Sequence, residues 1–317
     1  MATLREAPDD VPRASRIARV IDTAATERGI LARACNRVGI DPGVADNAGL
    51  LAYGENAVFA LPQAGIVARI ARGPHLLDRA RREIEVARWL RDQDFPTVRP
   101  AEQVPAQPVS VSERPVTFWE LLEPADRDPD VKDLARLLKR LHALPRPPFA
   151  LPAREPLALV ETWLDSADAA VHLDDRRFLL DRKAELLDAY AAVRPVLEPG
   201  VVHGDALLRN VGVHGGRPLL LDLENVSDDL RELDLILTPM AAVRYGLPDG
   251  AVEKFVRKYG FDVTSWDGYP VLRAVRELAA TAWVAQHVPG NPAAEDEFAH
   301  RVRCLRTGDT TSRWHSF

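Results

Sequence analysis

The feature that most constrains this chain is an island of extended character at residues 201–224, set among segments of helical periodicity. Val201 and Val202 form an apolar lead into His203-Gly204-Asp205. Val211-Gly212-Val213-His214-Gly215-Gly216 then reads as a strand and a turn, and Pro218-Leu219-Leu220-Leu221 as a returning strand that ends at Asp222. A loop therefore presents Asp205, and a hairpin carries Asp222 back beside Asn210. Two oxygen ligands on adjacent elements suit hard Mg²⁺, which keeps waters and also takes phosphate oxygens. A nearby carboxylate can orient a hydroxyl and accept its proton during phosphoryl transfer.

The flanking sequence says where such a loop would sit. Residues 13–40 carry apolar positions at helical spacing, among them Ile17, Val20 and Ile21, and predict one or two helices. Leu50–Tyr53, Ala57–Leu61 and Ile66–Ile70 are short apolar runs broken by Gly54-Glu55-Asn56 and Pro62-Gln63-Ala64-Gly65, the pattern of a strand meander. Residues 76–92 are helical, with Leu77, Ile84, Ala87 and Leu90 inward. Two further strands follow at Val109–Val111 and Pro115–Trp119. Beyond Pro124 the pattern is mostly helical, at 129–143, about 156–193, 249–259 and 270–287. This predicts an α+β chain: a small sheet with one helix at residues 1–122, the first 40 residues a helical extension, and a larger helical half at 123–317.

Composition narrows the function classes. With 46% hydrophobic residues in 317, the chain has ample material for a core. A net charge of −6 supplies no global footprint for nucleic acid, which is not expected as a partner. The acidic N-terminus lacks the apolar stretch of a signal peptide, and no apolar run is long enough to span a bilayer, so neither export nor a membrane partner is expected. Cys35 and Cys304 are too few for a disulfide framework or a cysteine zinc site, and reduced thiols point to the cytoplasm. Only five of the 41 basic residues are lysine, none before Lys132, so any cation required in the first third must be an arginine.

The spacing His203-Gly204-Asp205 with Asn210 five residues after the aspartate, followed by Leu221-Asp222-Leu223-Glu224, resembles the aminoglycoside phosphotransferase and small-molecule kinase family. Val116–Glu120 and Leu137–His142 also look like blocks of that family. The resemblance implies a bilobal protein-kinase-like fold, a nucleotide-binding lobe followed by a catalytic and substrate-binding lobe. It implies a phosphotransferase that moves the γ-phosphate of ATP or GTP, with Mg²⁺, to a hydroxyl of a small acceptor. Asp205 then takes the place of the catalytic aspartate, and Asn210 and Asp222 those of the Mg²⁺ ligands. Glu224 assists the metal or holds the loop, Asp234 buttresses the catalytic loop, and His203 is structural.

The first half is read against the same need. Gly54, Glu55 and Asn56 form a turn that could cover phosphates, although a plain hairpin turn would look the same. Arg69 in Ile66-Val67-Ala68-Arg69-Ile70 stands where the family places lysine or arginine, and Val67 on the same strand face lines the adenine pocket. Glu83, with Glu85 as rival, is the expected carboxylate partner of Arg69. The hinge, whose backbone would read the adenine edge, is expected at Glu120, Leu121 and Leu122.

The acceptor is less legible. Asp228, Asp229, Glu232, Glu295, Asp296 and Glu297 could form an acidic wall for a cationic substrate such as an aminoglycoside, or be ordinary surface charge. Trp266, Trp283 and Trp314 could stack on a sugar or fill the core, which is the better reading for Trp283. A metabolic kinase of an amino alcohol, amino acid or sugar is the alternative within the family. Outside it stand a catalytically silent nucleotide-binding module and a hydrolase with a metal on His203, Asp205, His214 and Asp222. Either a monomer or a homodimer is compatible with the sequence.

Overall fold

The computed structural model describes residues 13–315 apart from Glu55, Pro124 and Asp126. The expectations for the acidic segment 1–12 and for Glu55 in its turn lie outside the described residues. The chain divides into two compact units, Met1–Pro124 and Ala125–Phe317.

In the first unit a single long helix, α1 (Arg13–Arg37), precedes a five-stranded antiparallel sheet. Its strands are β1 (Gly49–Tyr53), β2 (Asn56–Leu61), β3 (Ile66–Ala71), β4 (Val109–Val111) and β5 (Arg114–Glu120), in the order β1-β2-β3-β5-β4. Helix α2 (Leu77–Asp92) lies between β3 and β4 in sequence. Strand alternation gives the sheet two distinct faces. Ile66, Ala68 and Ile70 of β3, with Ala57, Phe59, Val116 and Phe118, bury one face beneath Ile30, Leu31, Ala34 and Cys35 of α1. The other face carries Val67 and Arg69 of β3 and Thr117 and Trp119 of β5, and α2 packs on it with Ile84, Val86, Ala87 and Leu90 buried. Leu77 is only half-buried. A buried ion pair, Arg114 Nη1 to Glu27 Oε1 at 2.9 Å, locks α1 to β5. The helical extension is thus the cover that closes the sheet's rear face.

The second unit is mostly helical. Helix α3 (Val131–His142) begins with a capping box, in which the Asp130 carboxylate accepts from the Asp133 N–H and the Asp133 carboxylate from the Asp130 N–H. The expected long helix at 156–193 is two helices, α4 (Val160–Ser166) and α5 (Leu173–Ala192). Asp168 at positive φ breaks the run, and His172 caps the restart. The extended island follows as β6 (Gly200–Val202) and the hairpin β7 (Val211–His214) and β8 (Arg217–Leu220). A short strand that the sequence pattern does not announce, β9 (Ser227–Asp229), pairs with β6. Helices α6 (Glu232–Leu235), α7 (Leu237–Tyr245), α8 (Ala251–Tyr259), α9 (Tyr269–Ala285) and α10 (Pro292–Thr307) complete the unit. α9 is the central member: α4, α5 and α10 all pack on it around Leu164, Leu179, Leu278, Ala282 and Phe298.

Candidate active site

In the first unit the predicted cation and carboxylate meet. Arg69 projects from β3 on the same face as Val67, and its Nη1 donates to Glu83 Oε1. Glu83 is buried on α2, whereas its rival Glu85 is exposed. The β1–β2 turn is held from below: Arg72 Nε donates to the Gly54 carbonyl, and its guanidinium stacks 4.5 Å above the Tyr53 ring. Asn56 opens β2, and its carbonyl accepts from the Gly54 N–H at 3.0 Å. At the end of β5 the backbone N–H groups of Glu120 and Leu121 are already engaged, by the carbonyls of Arg99 and Gly65 respectively. Leu122 is the first residue beyond these bonds.

In the second unit the island assembles around one buried carboxylate. Asp205 sits in the loop between β6 and β7 and is almost wholly buried. Its Oδ2 accepts from Asn210 Nδ2 at 3.0 Å and from Arg209 Nη2 at 2.9 Å, and its Oδ1 accepts from Arg276 Nη2 on α9. Burial pushes the Asp205 carboxyl up, but the charges of Arg276, Arg209 and His203 and the Asn210 bond outweigh it and hold it below the usual carboxylate range. The group is therefore an ionised carboxylate, able to orient a hydroxyl.

The loop is rigid because its backbone is tied down. Asp234, with no exposed surface, accepts from the N–H of His203 at 2.7 Å and of Gly204 at 2.8 Å, and from His142 Nε2 at 3.0 Å. Behind it, His142 Nδ1 meets the Tyr259 hydroxyl at 2.8 Å. Gly204 must be glycine: φ is +81°, and a Cβ would stand 2.4 Å from the Asn225 carbonyl. His203 joins the two loops. Its Nε2 lies 2.8 Å from the Leu221 carbonyl, an acceptor only, and its Nδ1 accepts from the Asp205 N–H at 3.3 Å. Both ring nitrogens face backbone groups, so His203 positions and does not ligate. His214 is exposed at the end of β7. The four-residue metal cluster of a hydrolase does not form.

Asn210 and Asp222 come together through the hairpin. The Leu221 N–H donates to the Asn210 carbonyl at 2.9 Å, one step beyond the β7–β8 ladder, which sets Asp222 beside Asn210. Asp222 adopts the left-handed conformation, φ +57° and ψ +70°, and its Oδ1 is buried with no hydrogen-bond partner. Asn210 turns its amide N–H groups toward Asp205, which leaves the amide oxygen, a lone-pair ligand, for another partner. A buried orphan carboxylate oxygen, with an asparagine at the head of the adjoining strand whose own N–H groups are engaged, is a donor set suited to a hard divalent cation. Among the described residues no three His, Cys, Asp or Glu side chains could hold an ion alone, so such a cation would complete its shell with water and phosphate. Glu224 lies half-buried in the turn that follows Asp222.

Sequence reasoning missed Arg276, Arg209 and the His142–Tyr259 support. Arg209 carries a local signal, four residues after Asp205. Arg276 carries none beyond being a cation in a helix of alanine and leucine. The acidic wall does not assemble either. Asp228 pairs with Arg146, Asp229 is bonded by Tyr190 and the Leu230 N–H, Glu232 caps the N–H groups of Val196 and Leu197, and Glu297 binds Arg301 and His315. Only Glu295 and Asp296 face solvent. Trp266 and Trp314 are buried, and half-buried Trp283 packs against the α9 core.

A sequence profile of the phosphotransferase enzyme family matches residues 54–296. No curated protein matches the chain. Among solved structures, an amicoumacin kinase in complex with AMP-PNP, Ca²⁺ and Ami superposes with a TM-score of 0.64 at 15% identity, covering 84% of this chain and 90% of that one. The choline kinase LicA from Streptococcus pneumoniae gives 0.60 at 14% identity, covering 82% and 93%. A microcompartment-associated aminopropanol kinase gives 0.57 at 20% identity, covering 84% and 94%. These likenesses establish the bilobal protein-kinase-like fold, and with the profile match over most of the chain they make it a member of the phosphotransferase enzyme family, a small-molecule kinase.

Proposed function

We propose that the chain transfers the γ-phosphate of ATP or GTP to a hydroxyl of a small molecule, with Asp205 orienting that hydroxyl. The observation that carries this reading is that Asn210 links an ionised, immobilised Asp205, which its amide N–H holds, to the hairpin end that carries the orphan oxygen of Asp222. The acceptor oxygen forms a bond to the γ-phosphorus as the bond from that phosphorus to the β–γ bridging oxygen breaks. The nucleoside diphosphate leaves with the electron pair, and the hydroxyl proton passes to Asp205 and on to solvent. Mg²⁺, when held by Asn210 and Asp222, neutralises phosphate charge. Arg69, oriented by Glu83, supplies a fixed cation to the nucleotide phosphates, Val67 lines its base, and Leu122 offers a backbone group to the adenine edge. The turn of Gly54 and Asn56, held by Arg72, covers the phosphates. Glu120 presents its carbonyl side, because its N–H is engaged.

An intact set of Asp205, Asn210 and Asp222 favours an active enzyme over a silent module. A polycationic antibiotic is disfavoured because four of the six carboxylates expected to receive it are engaged internally. A metabolic acceptor is the better reading. Two buried thiols suit a reducing compartment, and the cytoplasm is the proposed location. Among the described residues no helix is long and apolar enough to cross a membrane.

The test is nucleoside diphosphate release and nucleotide binding in two variants. Asp205→Ala should lower kcat about 10³-fold and leave nucleotide affinity within about threefold. Asp222→Ala should abolish Mg²⁺-dependent nucleotide binding. Full transfer by Asp205→Ala would overturn the assignment.

A further inference from the structure

The carboxylate that orients the acceptor is surrounded by guanidinium groups that phosphoryl transfer does not require. Asn210 and the loop backbone already hold Asp205, and each added arginine makes it a weaker base. Yet Arg276 from α9 and Arg209 from the loop both donate to it, and Arg154 donates to the carbonyl of Gly204, one residue away. The cations are close enough to oppose one another: burial lowers the Arg154 pKa first, and the charge of Arg276 lowers it further.

Two of these groups also reach solvent. The Arg209 side chain is 68% exposed and that of Arg276 27%, while each directs one N–H at Asp205. A guanidinium has five N–H donors in a planar fork that matches carboxylate and phosphate oxygens. The donors not directed at Asp205 therefore present a cationic rim around the position where the acceptor hydroxyl must sit. The carboxylates that could have offset that rim for a cationic acceptor bind Arg146, Tyr190, Arg301 and backbone N–H groups instead. An ammonium group bound here would meet two fixed like charges, and like-charge juxtaposition is a strong device against a wrong partner.

We propose that the acceptor is a small hydroxylated anion, whose carboxylate or phosphate group is received by Arg209 and Arg276 while its hydroxyl faces Asp205. The inference rests on the phosphotransfer reading above and adds the charge of the acceptor to it. Arg209 and Arg276 are then specificity-determining residues. Their bonds to Asp205 place the bound anion and the oriented hydroxyl a fixed distance apart.

The test uses two series, each of one carbon count, that vary the charged group. One is glycerate, glycerol 3-phosphate, glycerol and 3-amino-1,2-propanediol; the other is gluconate, glucose 6-phosphate, glucose and glucosamine. Turnover with Mg²⁺-ATP is read as kcat/KM, and binding without nucleotide is read by thermal shift. The anionic members should exceed neutral and cationic ones at least tenfold in kcat/KM, or, where the frame does not fit for turnover, be the only members that raise Tm. The better of carboxylate and phosphate names the group. Preference for a neutral or cationic member, or no stabilisation by any anion, would overturn the inference and leave phosphotransfer standing. Anion binding without any Mg²⁺-nucleotide binding would instead overturn the phosphotransfer reading.

Arg209→Gln separates a specificity role from a structural one. Arg209 is exposed, so the variant should fold. It should raise the KM or Kd for the preferred anion about tenfold with the KM for ATP within about twofold, and Arg209→Glu should shift preference toward the amine of each series. If Arg209→Gln raised the KM for ATP and left acceptor charge preference unchanged, the arginines would serve the nucleotide and the inference would fail.

Discussion

At the scale of single residues, the site depends on charged groups held where water cannot reorganise around them. Asp205 is the clearest case. Its folded carboxyl titrates below the ordinary value, so its pairing stabilises the fold above the unfolded carboxylate pKa of about 3.9 and is lost as pH falls through the lower folded value. It therefore stays ionised at neutral pH. We expect kcat/KM to show no acid-limb inflection from Asp205 between about pH 5 and 8. A pH–rate profile that lost activity near pH 6 by protonating this residue would contradict the arginine clamp. The Arg69–Glu83 pair gives a second prediction. Glu83 is buried, so Glu83→Ala leaves Arg69 without its orienting carboxylate. Stability should fall by about 2–4 kcal/mol in urea unfolding. The KM for ATP should rise several-fold while kcat changes less. Glu83→Gln, which retains a hydrogen-bond acceptor, should recover part of both.

At the scale of elements, α1 decides whether the sheet of the first unit is a core or an exposed surface. Leu31 and Cys35 have no exposed surface and lie against Phe59, Ile70 and Phe118. Leu31→Ala should cost about 2–5 kcal/mol, the range for a cavity beneath a sheet that cannot collapse onto it. Burial also pushes the Cys35 thiol up to about 11, and Cys304 is buried as well. Native protein at pH 8 should therefore react with a thiol reagent far more slowly than urea-unfolded protein, which should show two thiols. Leu31→Ala should accelerate the labelling of Cys35 by lowering the free energy of local opening. Labelling at an unchanged rate would mean that α1 opens independently of the packing at Leu31.

At the scale of the whole molecule, the second unit closes on its own C-terminal segment. The guanidinium groups of Arg244 and Arg301 lie over the Trp314 ring, 4.3 and 4.7 Å from its centre, and those two arginines donate to the carbonyls of Asp309, Ser312 and His315. Arg244 is fully buried, and Glu277 of α9 accepts from it, one residue from Arg276. Trp314→Ala should lower stability by about 3–5 kcal/mol and reduce turnover by loosening the helix that carries Arg276, without changing nucleotide affinity. Unchanged kcat at equal folded fraction would show that α9 holds Arg276 without the tail. The chain's order of chemistry was legible before any fold was known. The spacing of Asp205, Asn210 and Asp222, the strand meander before Glu83, and the absence of lysine before Lys132 are local facts, set by strand alternation, turn residues and ligand chemistry. Apart from Asp234, which the family resemblance implied, the partners brought from afar stayed hidden. Arg276 lies 71 residues from Asp205, His142 lies 92 from Asp234, and Arg114 lies 87 from Glu27. Helical periodicity says that such residues lie on a helix, not which carboxylate they will meet. The charge around Asp205 was therefore a decision of tertiary packing, because it depends on which acidic groups the fold neutralises and which cations it aims at that carboxylate.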